Sequence, residues 1–171
     1  MSKNGLKIFL FLTVIFFGLI GLSLAISDYR INKYTNTVVN DEIIDYKNID
    51  YLFKKTNENI VYAFLYDSDN DDCIYLDEVL LKDISNDHNG IQFHDIYKVN
   101  YEQSYRSYIH QLIKNTYQIE SFPAIVAIKK TDDDSFIKTD SFEYQSDQEK
   151  NKKNLQAFLE RNQFFEISHK D

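Results

Sequence analysis

The chain opens on a long apolar run. Residues 8–26 read IFLFLTVIFFGLIGLSLAI without a charge, and nineteen residues at helical rise span about 28 Å, close to the core of a bilayer. Residues 28–40, DYRINKYTNTVVN, are polar and read as a tether or a short first strand. A helix is predicted from Asp41 to Lys55, where Ile44, Tyr51 and Leu52 recur at helical spacing. Ile60 to Tyr66, IVYAFLY, is short, β-branched and aromatic, the pattern of a buried strand.

After Cys73 the period turns helical, with Leu76, Val79, Leu80 and Ile84 on one face. The cluster Asn86-Asp87-His88-Asn89-Gly90 predicts a turn. Alternation of Ile91, Phe93, Tyr97 and Val99 predicts a strand over 91–99. From Glu102 a second helical stripe runs through Tyr105, Tyr108, Ile109, Leu112 and Ile113. Phe122-Pro123 breaks the chain, Ala124 to Ile128 is another buried strand, Thr131 to Asp134 a hairpin turn, and Phe136 to Tyr144 the returning strand. Leu155, Phe158 and Leu159 mark a last amphipathic helix. Strands that alternate with helices predict parallel pairing, and the final two predict an antiparallel hairpin. The expected class is therefore α/β with a mixed central sheet.

Charge sharpens the division of the chain. Lys3 and Lys7 are the only charges before Asp28; the 17 basic and 27 acidic residues that follow give a net charge of −10. Lysines ahead of the apolar run favour an inside N-terminus, which puts the rest of the chain outside the cytoplasm. Ser23-Leu24-Ala25 fits a signal-cleavage site, but the length and phenylalanine content fit an uncleaved anchor better. The expected organisation is an anchor or signal peptide over 1–27, a tether over 28–40 and one domain over 41–171, at the cell membrane or secreted if the signal is cleaved. So acidic a domain repels phosphate, which argues against nucleic acid as a partner. Cys73 is the only cysteine, so neither an internal disulfide nor a cysteine-built zinc site can form.

Two stretches carry candidate chemistry. Ile119-Glu120-Ser121-Phe122-Pro123-Ala124-Ile125-Val126 places the only proline just ahead of a central strand, and Cys73 lies between a strand and the next helix. With the order of elements, these features resemble the thioredoxin-like superfamily, over about residues 40–165. That resemblance implies a three-layer sandwich, a cis bond at Pro123, and Cys73 at the place of the Cys-x-x-Cys motif. Here the motif reads Cys73-Ile74-Tyr75-Leu76, with leucine in place of the second thiol. Within the superfamily the chain is similar to membrane-anchored bacteriocin-transport accessory proteins. The resemblance implies a peptide-binding groove lined by Ser121, Phe122, Pro123 and Ala124 beside Cys73.

A lone thiol can form a mixed disulfide but cannot resolve it internally. Asp67, Asp69, Asp71, Asp72, Asp77 and Glu78 surround it in sequence and disfavour the thiolate. The expectation is a redox-inactive accessory or assembly factor that binds a peptide or protein client. The alternative is monothiol disulfide exchange or isomerisation with Cys73 as the catalytic residue. A third reading takes Asp67, Asp69, Asp71 and Glu78 as calcium ligands at positions one, three, five and twelve of an EF-hand-like loop; Asp72 stands where that loop needs glycine. No other cofactor is expected. His88, His94, His110 and His169 show no ligand spacing.

Overall fold

The computed structural model describes residues 37–101 and 106–165, together with Thr13 and Gly18. The chain divides into two units, Met1–Asn36 and Thr37–Asp171, and the fold described is that of the second. The expected anchor over 8–26, save Thr13 and Gly18, lies outside the described residues, as do residues 28–36 of the tether. Among the described residues no helix is long and apolar enough to cross a membrane.

The second unit begins with a strand where a helix was expected. Strand β1 covers Val39–Asp45, a 3₁₀ turn follows over Tyr46–Asn48, and helix α1 is confined to Ile49–Thr56. Cross-strand pairing overrides the helical spacing of Ile44 and Tyr51: β1 pairs with a central strand and buries Val39 and Ile44. The Asp45 carboxylate then accepts the Lys47 N–H at 2.8 Å and caps the new helical turn.

Strand β2 is Ile60–Tyr66, as predicted. The next helix, α2, is continuous in three parts: α-helical Asp71–Tyr75, π-helical Leu76–Leu81 and α-helical Lys82–Asp87. The wider π turns rotate the buried face. Val79, expected inside, is 38% exposed, while Leu81 and Asp77 are buried. The predicted turn therefore starts late, at His88. It closes with Gly90 at φ +78°, its N–H donating to Ser85 O at 2.8 Å.

Strand β3 is Phe93–Asn100, and its alternation fails because Ile96 through Val99 are all buried. Helix α3 is Arg106–Tyr117. It buries Ile113 and Tyr117 but leaves Leu112, placed on the inner stripe by its spacing, 41% exposed. The remainder follows expectation: β4 Ala124–Lys130, β5 Phe136–Glu143 and α4 Gln148–Arg161.

The strands form one five-stranded sheet in the order β1-β3-β2-β4-β5. β3 is parallel to β1 and β2; β4 is antiparallel to β2 and β5. Both faces are covered. On one, Phe64, Ile96, Ile125 and Phe142 pack with Leu76, Leu80 and Ile84 of α2 and Leu155, Phe158 and Leu159 of α4. On the other, Ala63, Leu65, Val99 and Val126 pack with Leu52 and Phe53 of α1 and Ile113 and Tyr117 of α3. Burial on both sides explains why β2 and β4 read as unbroken apolar runs. The edge strand β5 is irregular. Its register with β4 shifts between Ala127 and Ile128, and Asp140 is clasped by Arg161 through two 3.0 Å bonds.

Candidate functional site

The register brings several chain segments to one end of the sheet. Leu65 pairs with Ala124, Tyr66 with Asn100, and Ala124 with Glu143. The β2–α2 loop, Tyr101, the loop 118–123 and the end of β5 therefore open on the same side. Cys73 and the proline loop meet here: the Cys73 thiol donates to Leu65 O at 4.0 Å, and Leu65 is the strand partner of the residue after Pro123. The Phe122–Pro123 bond is cis.

Asn70 decides what Cys73 is able to do. Asn70 occupies the N-cap of α2, and its side-chain oxygen accepts the N–H groups of Asp72 and Cys73 at 2.9 and 3.2 Å. A thiol at a helix N-terminus is activated by the unpaired amides there. Cys73 instead stands three residues inside, 0% exposed, facing the core with Leu76 and Leu80. Burial pushes its thiol up to about 12; the Asp67 backbone and the Tyr101 side chain partly oppose the rise, and the Asp67 carboxylate adds to it. At neutral pH the sulfur is a protonated, enclosed thiol. Tyr101, which the sequence did not single out, links the two loops: it is buried beside Cys73, and its ring centroid lies 5.2 Å from that of Phe122.

The proline loop is fastened from β5. Glu143 Oε2 accepts the N–H groups of Glu120 and Ser121 at 2.7 and 3.3 Å. Ser121 Oγ donates to Tyr144 O at 2.7 Å, and Tyr144 N–H donates to Pro123 O at 2.9 Å. Of the four residues expected to line a groove, Ser121 and Phe122 do so, in a cleft of about 730 Å³ shared with Asp72, Glu120 and Tyr144. Pro123 and Ala124 lie buried behind it. Glu143 and Tyr144 were legible only once the β4–β5 register was known, since nothing local marks them.

The calcium reading needs an oxygen-lined loop through its twelfth position. The chain instead turns helical at Asp71, because Asn70 caps it there. Asp67 is buried, its Oδ1 accepting the Asp69 N–H at 2.9 Å; Asp69 and Asp71 are exposed; Glu78 lies within the π-helical part of α2. Among the described residues no three His, Cys, Asp or Glu side chains are grouped to hold a metal ion.

Compared with known proteins, the sequence matches no family model and no curated protein.

Proposed function

We propose that residues 37–165 form a thioredoxin-like domain that lacks disulfide chemistry and binds an extended peptide or protein segment beside the Phe122–Pro123 loop. The strand order β1-β3-β2-β4-β5, with the proline loop leading into β4, supports the fold reading. The apolar segment 8–26, with Lys3 and Lys7 ahead of it, would hold the domain at the outer side of a membrane. There it would act as an accessory or assembly factor, for example in peptide export.

One observation carries the reading. The only cysteine of the chain is enclosed and held protonated, while the cleft one residue away, at Asp72, remains open. A thiol without thiolate character or access does not attack a disulfide, and a lone one has no partner with which to complete the exchange. An open cleft beside main-chain groups suits capture of an extended segment. The buried thiol equally disfavours monothiol exchange through Cys73.

The test has two arms on the full-length protein. No turnover is expected in insulin reduction at ordinary dithiol levels, and robust turnover refutes the redox-inactive half. Titration with unstructured peptides should shift the amide resonances of Ser121 and Phe122. If peptides of every charge type leave those signals unmoved, the binding half fails.

A further inference from the structure

We infer that residues 37–39 form a strap that lifts from the domain apart from the rest of β1, and that its lifting lets water reach the Asp77–Lys98 ion pair inside. The strap is the first stretch of the second unit, so whatever draws on the chain before Thr37 acts on the strap first.

The pairing of β1 sets the strap apart. The β1–β3 ladder is broken on both sides of Asn40: Val39 pairs with Phe93, Asn40 with Tyr97, and regular pairing begins only at Ile43, opposite Lys98. Asn40 fills the gap with its side chain, Nδ2 donating to His94 O at 3.1 Å and Oδ1 accepting the Glu42 N–H at 3.0 Å. A ladder interrupted in this way gives way in separate pieces. Two bonds tie the strap down: Val38 O accepts the Phe93 N–H, and Thr37 Oγ1 donates to Asp77 Oδ1, both at 2.6 Å. Val38 and Val39, buried in the core on the α2 side of the sheet, keep it closed for most of the time.

Beneath it lies charge. Asp77, in the π-helical part of α2, pairs with Lys98 of β3, and both are buried. The half-buried Thr37 is where this pair meets the surface. When its hydroxyl leaves, Asp77 Oδ1 must take water instead, because a buried carboxylate oxygen left unbonded is costly. The same helix carries Asp72 at the wall of the cleft. The strap thus gives the preceding chain a hold on the helix that frames the candidate site.

The test uses full-length protein in non-ionic detergent. In the parent, the Phe93 amide should exchange about tenfold faster than those of residues 98–100, at a rate independent of urea below the unfolding transition. Thr37→Val keeps the shape and removes the hydroxyl. Exchange at Phe93 and acetylation of Lys98 by a water-soluble succinimidyl ester should then both quicken about tenfold. Alkylation of Cys73, also buried on α2, should not change. Thr37→Ser retains the hydroxyl and should stay close to the parent. One common exchange rate for Phe93 and residues 98–100 in the parent, a comparison that needs no variant, overturns the separate strap. Quicker exchange at Phe93 with Lys98 still shielded overturns its hold over the ion pair. A Cys73 thiol that becomes reactive in step with Lys98 shows opening of the whole domain and overturns the inference altogether.

Discussion

Lys98 Nζ lies 2.5 Å from Asp77 Oδ2, an ion pair between the middle of β3 and the π-helical part of α2 with side chains only 9% and 5% exposed. Asp77 Oδ1 also accepts Thr37 Oγ1–H at 2.6 Å, and the ammonium sits 5.1 Å from the centre of the Tyr66 ring. Removing one partner strands a charge in the core; removing both does not. Asp77→Asn and Lys98→Met should each cost about 3–5 kcal/mol, and Asp77→Leu with Lys98→Met together far less. A double-mutant cycle in urea measures this. Losses that simply add would show that the two charges do not depend on each other.

Asn70→Cys should put a thiol at the N-cap, three residues before Cys73, where side chains three apart on a helix are within about 5–6 Å. Under mild oxidation the variant should form an internal disulfide, seen as loss of two hydrogens by mass and of both free thiols. It should also acquire the insulin reduction that the parent lacks. If both thiols stay free in oxidant, the N-cap position is not the one from which an attacking thiol could pair with Cys73.

Alkaline pH should unfold the protein partly through Cys73. Its thiol rises from 9.0 to about 12 on folding, so above pH 9 the unfolded chain releases a proton that the folded one retains. Stability is then full below pH 9 and falls as pH rises toward 12, by roughly 1 kcal/mol per unit from this group. Tyr117, raised by burial and by the neighbouring Tyr46, acts in the same direction at higher pH. Cys73→Ala should flatten the slope between pH 9 and 10 in urea titrations. An unchanged slope would mean that the thiol ionises freely in the folded state.

Glu143→Gln should loosen the proline loop without unfolding the sheet. Two amide N–H groups lose their charged acceptor, a change of about 1–2 kcal/mol. Hydrogen exchange at Glu120 and Ser121 should quicken several-fold while β4 amides stay protected. Unaltered exchange there would show that Ser121 Oγ and Tyr144 hold the loop without it.

Much of the fold was legible because buried strands and amphipathic helices write strong local patterns. IVYAFLY and the hairpin around Thr131–Asp134 stand where they were expected. What escaped depends on non-local geometry. β1 is a strand because β3 lies beside it, and Val79 turns outward because the π turns carry more residues than a 3.6 period allows for. At the site, the meeting of the Cys73 and Pro123 loops followed from the order of elements. The depth of Cys73 did not, since sequence alone does not say whether a thiol sits at a cap or one turn beyond it. Tyr101 and Glu143 reach the site through strand pairing, which leaves no mark on neighbouring residues.

The disorder in the pairing of β5 bears on how the protein keeps to itself. A straight outer strand offers a template on which further copies add, the route by which sheet proteins become fibres. Here the slip opposite Ala127, the Asp140 carboxylate gripped by Arg161, and Lys138 anchored to Gln118 break that template into short, charged pieces. A chain with 13 tyrosines and 13 phenylalanines thereby presents a poor seed for its own aggregation along that side.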